Sequence, residues 1–336
     1  MGWELFENYL IALEKFKPDF FLYENNKSAA QAIKDQIARE FGVGVDPAVR
    51  FTYINSALVS AQNRQRFYVT NFGDIAQPED RGILLRDILE TGGTDREKGC
   101  ESMVTEPIQV GSLPRPNGEL STSQAMRIYS QDGKSVTQSA GGGGLGGKTG
   151  LYAIPVQWDN GTPLKAASCA DGKTYTVYEV KDGQITIKGK QYPIKLSDGS
   201  YIIRKPTVRE CARLQTMPDD YCKSVSDNRA YAALGNGWTA EVIIHLLNHA
   251  LKDVPRDEEI VVLSLYDGIA TGRYCLDKMG FTNVTYHAYE IDKYPIQVAM
   301  DNYPDIIQHG DAFAVREDDW KPPQTRSEWL DELLGI

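Results

Sequence analysis

The chain has 336 residues, of which 41% are hydrophobic and 24% are charged, and its five cysteines form no CxxC pair. This composition is typical of a globular protein of about two domains, and it excludes a disulfide scaffold, a structural zinc site and a membrane span. The net charge of −10 argues against a general nucleic-acid coat protein, although residues 91–210 hold 15 lysines and arginines against 12 acidic residues. The amino terminus lacks the basic start of a signal peptide, so a reducing, cytoplasmic setting is expected.

The first 90 residues alternate between helical and strand patterns. Apolar residues recur at helical spacing over 3–16 and 28–41, and short apolar runs at 20–23, 51–54 and 66–71 are typical of strands. This alternation predicts an α/β sheet.

Residues 91–200 differ in character. Thirteen of the 30 glycines lie between 91 and 150, including the run at 141–147. We interpret this run as a flexible linker, with a close approach of the backbone to a ligand as the alternative. Strand-like runs at 174–180 and 184–187 are separated by the turn signal Asp182-Gly183. A strand-rich insertion is therefore predicted.

Helical patterns return after residue 206. Thr207 and Glu210 have the spacing of a capping box, and residues 240–251 form a second helical segment. His245 and His249 lie four residues apart on it, but no third ligand is evident, so no metal site is predicted.

Residues 259–313 have the clearest pattern in the chain. A strand leads into the turn Asp-Gly-Ile-Ala-Thr-Gly at 267–272, a helix follows, and a second strand ends at Glu290. Glycines here allow a ligand to approach the backbone, and an acidic residue at the next strand end can accept two ribose hydroxyls. The turn is not GxGxxG, so we expect a cofactor with a ribose and no pyrophosphate, with Asp311 available to an adenine amino group. An ordinary βαβ unit is the alternative.

Two further polar clusters are candidates for a site. Glu24 follows the apolar run at 20–23, where it could act on a ring nitrogen, although such a residue is more often a cap or a surface group. Gln62, Arg64 and Arg66 alternate, so we expect them to share one face and to suit phosphate, carboxylate or a base oxygen. An edge strand with salt bridges is the alternative.

Seven segments together resemble motifs of the DNA (cytosine-5)-methyltransferase family. They are Glu-Asn-Asn at 24–26, Gln-Asn-Arg-Gln-Arg at 62–66, the segment 204–218, Gly-Asn-Gly at 235–237, the segment 262–272, Tyr-Glu-Ile-Asp at 289–292 and Gly-Asp at 310–311. The resemblance implies a Rossmann-like, S-adenosylmethionine-dependent methyltransferase sheet with a target-recognition insertion.

The resemblance also implies roles for particular residues. Tyr266 would stack on S-adenosylmethionine, Glu290 would hold its ribose, and Asp292 and Asp311 would lie near its methionine and adenine ends. The full cofactor set implied is Tyr266, Asp267, Gly268, Ile269, Ala270, Thr271, Gly272, Glu290, Ile291, Asp292, Asp311 and Asn236.

The implied reaction is methyl transfer to C5 of a cytosine flipped out of double-stranded DNA. Glu24 would contact N3 and N4 of the base, and Arg66, with Arg64, would hold O2. In this family a cysteine thiolate adds to C6 and a base removes the C5 proton. A bacterial or phage-encoded restriction-modification enzyme is the expected setting.

Two features depart from the family pattern. The motif order is circularly permuted, because the cofactor motifs come last, after the polar segment 252–259. None of the five cysteines follows a proline, so the Pro-Cys nucleophile is missing. We expect four segments: the second half of the catalytic domain (1–90), the target-recognition domain (91–200), two motif helices with the junction (201–255) and the cofactor half (256–336).

These departures leave three hypotheses open. The chain is a DNA cytosine methyltransferase whose catalytic loop comes from a second polypeptide or from sequence outside this chain. It is instead a non-catalytic module that binds cofactor and DNA, or an RNA cytosine methyltransferase on the same fold. The large insertion, with its positive local charge, favours DNA over a small RNA hairpin.

Overall fold

The computed structural model describes residues 2–90, 104–140, 149–156, 166–168 and 172–318. The glycine run at 141–147 and two of the five cysteines, Cys100 and Cys169, lie outside these residues.

Helices and strands are numbered in chain order. The α-helices are α1 Gly2–Phe16, α2 Gln31–Glu40, α3 Val208–Leu214, α4 Asp227–Asn236, α5 Ala240–Leu251, α6 Thr271–Lys278 and α7 Lys293–Asn302. The strands are β1 Leu22–Asn26, β2 Arg50–Asn55, β3 Gln65–Thr70, β4 Gln109–Ser112, β5 Arg127–Ser130, β6 Leu151–Pro155, β7 Ala166–Ser168, β8 Thr174–Lys181, β9 Gln184–Ile187, β10 Lys190–Pro193, β11 Gly199–Arg204, β12 Ile260–Leu265, β13 Val284–Tyr289 and β14 Ile307–Gln308.

The chain divides into two compact units. Unit 1 comprises Met1–Ile54, Gln65–Gln77 and Ile243–Ile336, and unit 2 comprises Asn55–Arg64 and Pro78–Val242. The candidate cofactor segments at 262–272, 289–292 and 310–311 and the Glu-Asn-Asn segment therefore belong to unit 1, whereas Gly-Asn-Gly at 235–237 and the insertion belong to unit 2.

Unit 1 contains two three-stranded sheets. In the first, β12, β13 and β14 are parallel neighbours, with Leu265 opposite Tyr289. The helices α6 and α7 connect them, which is the predicted strand–helix alternation. Because the strands are parallel, their carboxyl ends meet at one edge, where ligands bind in open α/β sheets.

The second sheet of unit 1 has the order β1-β3-β2. The prediction that Glu24 follows its strand is wrong: β1 extends through Asn26 because every residue from Leu22 onward pairs with β3, with Glu24 opposite Tyr68. This pairing is antiparallel, a strand direction that the alternation of helix and strand patterns did not predict. A pattern of side chains does not report strand direction.

Helix α1 packs on strands of both sheets. Its Phe6 lies in a buried cluster with Phe67 and Val69 of β3. Farther along the helix, Ala12 lies in a second cluster that includes Tyr289 of β13. One amphipathic helix thus covers part of each sheet.

Unit 2 is built around a sheet with the order β10-β9-β8-β11-β6-β5-β4, and β7 pairs with β8. Its core includes the fully buried Ile128 and the buried Val180 and Ile185. Asp182 and Gly183 have φ values of 50° and 69°, which is the hairpin turn expected from that dipeptide. The predicted strand-rich insertion is confirmed.

Candidate active site

The turn between β12 and α6 has an unusual backbone. Tyr266, Gly268 and Ala270 have φ values of 59°, 64° and 58°, so three of five consecutive residues are left-handed. Two of these three carry a Cβ, which makes the conformation costly, and such strain concentrates at functional sites.

Glu290, at the carboxyl end of β13, ties this turn to the next one. Its Oε2 accepts a hydrogen bond from the Gly268 amide at 2.9 Å, and its Oε1 accepts from the amides of Ile291 and Asp292, each at 2.8 Å. The carboxylate is thereby fixed at the sheet edge by main-chain donors of two loops.

Asp267 lies buried beneath the turn. Its Oδ1 accepts hydrogen bonds from the hydroxyls of Ser264 and Tyr286, both at 2.7 Å. Burial raises the pKa of Asp267, an effect that these two hydrogen bonds and the nearby Ala270 backbone oppose. Its Oδ2 is buried and makes no hydrogen bond within the described part of the chain. An orphaned buried carboxylate oxygen is costly, and it fits a cationic or N–H donor on a ligand.

The other residues of the turn contribute differently. Ile269, Ala270 and Thr271 are buried, so their side chains are not exposed to a ligand. A Cβ on Gly272 would lie 2.7 Å from the Tyr286 hydroxyl oxygen, so this position requires glycine to preserve the hydroxyl that binds Asp267.

Asn8 of α1 is a residue that sequence reasoning missed. It is fully buried; its Nδ2 donates to the Ala312 carbonyl at 2.7 Å and lies 3.5 Å from the Tyr266 hydroxyl, and its Oδ1 accepts from Arg316 at 2.8 Å. The Tyr266 hydroxyl also donates to the Leu5 carbonyl at 3.1 Å. Asn8 therefore holds the β12 turn and the segment after Asp311 against one helix. The signal available in the sequence was an asparagine among the apolar positions of an amphipathic helix.

Three exposed apolar side chains follow successive strands: Tyr266 after β12, Ile291 after β13, and Phe313 in the short 3-10 helix beyond β14. Tyr266 is 41% exposed, Ile291 75% and Phe313 36%. Asp292 and Asp311 are exposed, and each caps the helix that follows it, since their Oδ1 atoms accept from the amides of Tyr294 and Phe313. The two aromatic rings and the isoleucine side chain could cover the face of a flat heterocycle.

Glu24 and Arg66 form an ion pair between β1 and β3. The distance from Arg66 Nε to Glu24 Oε1 is 2.8 Å, and both side chains are largely buried. A carboxylate and a guanidinium, fixed side by side, provide an acceptor and a donor for the edge of a base.

Arg64 differs from the prediction. It is buried in unit 2, and its guanidinium donates to the carbonyls of Gln138, Gly235 and Gly237 at 2.9–3.3 Å. Strand β3 begins only at Gln65, so the alternation expected for Gln62, Arg64 and Arg66 does not hold. Asn236, also in unit 2, is exposed at the end of α4.

The cysteines within the described residues are not suited to nucleophilic attack. Cys211, Cys222 and Cys275 are all buried. Burial raises the pKa of Cys222 to about 12 and raises that of Cys211 further. A thiol that stays protonated is a poor nucleophile.

Other site types have no support in the described segments. These residues contain no group of histidine, cysteine, aspartate or glutamate side chains placed to hold a metal ion. Their helices also include none that is long and apolar enough to cross a membrane.

The three parallel strands β12, β13 and β14, with α6 and α7 between them, confirm the predicted α/β fold class. The family model of C-5 cytosine-specific DNA methylases matches residues 2–252. This match covers well over half of the chain, so the chain belongs to that family. The match ends before β12.

Two relatives are similar over different extents. The type II methyltransferase M.BanI of Aneurinibacillus aneurinilyticus is 52% identical over 40 residues, which are 12% of this chain and 9% of that protein. The chain thus spans less than a tenth of this curated relative. The crystal structure of the S. pombe Dnmt2 methyltransferase aligns with 74% of this chain and 72% of its own, at 16% identity and a TM-score of 0.41.

Proposed function

We propose that this chain binds S-adenosylmethionine in unit 1 and takes part in methyl transfer to C5 of a flipped cytosine in double-stranded DNA. The observation that carries the proposal is the joining of the β12 turn to Glu290, with Asp267 buried beneath it. Membership of a cytosine-specific DNA methylase family supports both the methyl-donor type and the DNA substrate.

The residues present fit the cofactor. The orphaned Oδ2 of Asp267 suits the ammonium of the methionine portion, and Tyr266, Ile291 and Phe313 offer apolar cover for the adenine. Glu290 would accept from the ribose hydroxyls. Because three amides already occupy about three of its four acceptor positions, at least one amide must share its acceptor with a hydroxyl. When bound, S-adenosylmethionine supplies an electrophilic methyl group.

Glu24 and Arg66 are the proposed base-binding pair. The carboxylate would accept from the N4 amino group of the flipped cytosine and contact N3, while the guanidinium would donate to O2. In the proposed reaction a thiolate adds to C6, C5 gains the methyl group, and a base removes the C5 proton as the thiolate leaves. We assign Arg64 a positioning role, because it orders the backbone at Gly235 and Gly237.

The nucleophile would come from a polypeptide segment outside this chain. No cysteine follows a proline in the sequence, and the described cysteines are buried. The same observation favours a second candidate function, a non-catalytic module that binds cofactor and DNA. A role in restriction-modification is proposed from the name of the type II relative.

Calorimetric titration with S-adenosylmethionine tests the cofactor assignment. Glu290→Ala should weaken binding at least about tenfold, because charge-assisted hydrogen bonds to two ribose hydroxyls are lost. Glu258→Ala, an exposed acidic residue of the polar segment, is the matched control and should leave the affinity unchanged. Undiminished binding by Glu290→Ala would refute the pocket assignment.

A further inference from the structure

Two lysines and a tyrosine form a small surface cluster in unit 1, here called the lysine cluster. Lys27 directly follows β1, Lys34 lies in α2, and Tyr53 is an exposed residue of β2. The ammonium groups of Lys27 and Lys34 lie 5.6 and 5.7 Å from the centre of the Tyr53 ring, within the range of cation–π attraction. Three separate elements therefore bring two positive charges to one exposed aromatic ring.

The positive charge of the lysine cluster is not balanced by neighbouring residues in the sequence. Residues 25–34 include both lysines and no acidic residue, although the whole chain has 46 acidic residues against 36 lysines and arginines. Lys34 also lies near the amino end of α2, where the helix dipole disfavours a cation and the first turn holds no acidic residue.

The hydrogen bonds of the two ammonium groups do not balance this charge either. Within the described residues, Lys27 Nζ donates to Gln65 Oε1 at 2.7 Å, and Lys34 Nζ donates to the Lys27 carbonyl at 3.3 Å. Both acceptors are uncharged oxygens. Because two like charges repel each other, a cluster of this kind favours the binding of an anion.

The lysine cluster adjoins the ion pair of Glu24 and Arg66. The Gln65 carbonyl accepts from the Lys27 amide at 3.4 Å and from Arg66 Nη1 at 3.0 Å. Asn26, which precedes Lys27, also lies opposite Arg66 in the pairing of β1 with β3. One carbonyl oxygen thus joins the start of the lysine cluster to the guanidinium proposed to bind the base.

We propose that Lys27 and Lys34 bind the two phosphates that flank the flipped cytosine, one phosphate for each lysine. The inference rests on the proposed function, because it takes the base to lie at Glu24 and Arg66. A single sugar joins a base to the phosphates on either side of it, so a base held there brings both phosphates to the neighbouring lysines. Ammonium groups bind phosphate as point charges, so this contact positions the strand and reads no sequence.

The salt dependence of DNA binding by the full chain tests the lysine cluster. The probe is a duplex with one mismatched cytosine, because flipping costs least for a mismatched base. Each phosphate contact that is lost should reduce the slope of log affinity against log salt concentration by about 0.9. Lys27→Gln and Lys34→Gln should each have this effect, and the double variant should reduce the slope by about 1.8.

Two sets of control variants separate local charge from other effects. Lys252→Gln removes an exposed lysine of the polar segment 252–259 and should leave the slope unchanged. Lys27→Arg and Lys34→Arg keep the positive charge and should also keep the slope.

Methylphosphonate substitution, which replaces a charged phosphate oxygen by a neutral methyl group, tests which phosphates are bound. Placed on both sides of the mismatched cytosine, it should reduce the slope for the unchanged chain by about 1.8. It should leave the slope for the double variant as it is, because both contacts are already lost in that variant. Methylphosphonates at the far end of the duplex should not distinguish the two proteins.

An unchanged slope in both glutamine variants would overturn the lysine cluster as a phosphate site. An equal fall in slope with Lys252→Gln would do so too, because net charge alone would then explain the effect. A fall caused by the flanking methylphosphonates that is as large in the double variant would overturn the assignment to these two phosphates. All three results leave the proposed function standing, whereas a chain that binds S-adenosylmethionine but no duplex would refute the proposed DNA substrate together with this site.

Discussion

At the scale of single residues, we expect Asp267 to lower the stability of the folded protein and to favour binding of the cofactor. Its carboxylate is buried, one oxygen lacks a partner, and burial raises its pKa. A carboxyl whose pKa is higher in the folded state than in the unfolded state binds more protons when folded. The folded protein is therefore most stable below the ordinary pKa of this group and loses stability as pH rises through the raised value.

Asp267→Asn removes this cost. We expect the free energy of unfolding at pH 7 to rise by roughly 1 kcal/mol or more and its pH dependence to flatten, because no buried charge remains. Binding of S-adenosylmethionine should weaken, since an amide N–H would face the ligand ammonium.

Urea unfolding at several pH values and calorimetric titration measure the two effects. Asp253→Asn, an exposed aspartate, is the control and should change neither. A variant that is less stable at pH 7 and binds normally would contradict the role given to Asp267.

Gly272 and Tyr286 test the packing beneath the turn. Gly272→Ala places a methyl group 2.7 Å from the Tyr286 hydroxyl oxygen and should destabilise the protein by about 1–3 kcal/mol. Tyr286→Phe removes that oxygen, and the ring carbon Cζ would then lie 3.6 Å from the new methyl group, which is ordinary contact.

The two substitutions should therefore be non-additive in a double-mutant cycle of unfolding free energies. Tyr152→Phe is the control for Tyr286→Phe. It also removes a buried tyrosine hydroxyl, but in unit 2 and not beneath the turn. An additive cycle would show that the hydroxyl does not determine the need for glycine.

At the scale of elements, the start of α3 was the best-predicted local feature. The capping box of Thr207 and Glu210 is confirmed in both directions. The sequence did not show that Glu210 also forms a fully buried, bidentate ion pair with Arg204, at 2.6 and 2.7 Å. Capping depends on neighbours in the chain, whereas the ion pair depends on where β11 ends.

Glu210→Gln should consequently lower the free energy of unfolding by more than the loss of a capping hydrogen bond would. We expect about 3–5 kcal/mol, because Arg204 would keep an uncompensated buried charge. Thr207→Ala, which removes only a capping acceptor, should cost about 1 kcal/mol. Equal costs in urea unfolding would mean that the ion pair contributes nothing beyond the cap.

Strands were predicted less well than helices at the site. The apolar run at 20–23 indicated a strand, but β1 extends through Glu24, Asn25 and Asn26 because β3 pairs with them. Polar residues enter a strand when a partner supplies the hydrogen bonds, and that partner lies some 40 positions away in the sequence. The shared face predicted for Arg64 and Arg66 failed for the same reason, since β3 starts between them.

At the scale of the whole molecule, segments that are far apart in the sequence belong to the same compact unit. Residues 243–336 group with the amino-terminal residues in unit 1, so the cofactor half and the Glu24 segment form one body despite their separation in the chain. Motif spacing predicted that Glu290 directly follows a strand, whereas Asp311 lies beyond the end of β14 and caps the short 3-10 helix Ala312–Arg316. It could not predict Asn8, whose hydrogen bonds join α1 to Tyr266 and to the segment after Asp311.

We propose that this chain binds the cofactor and the flipped base and lacks the nucleophile. The most direct test of this proposal mixes the purified chain with S-adenosylmethionine and a pool of DNA duplexes carrying 5-fluorocytosine in randomised sequence, followed by mass analysis under denaturing conditions. We predict that the chain binds the cofactor and the DNA and that none of its five cysteines forms a covalent adduct. An adduct on any of these cysteines would show that this chain supplies its own nucleophile.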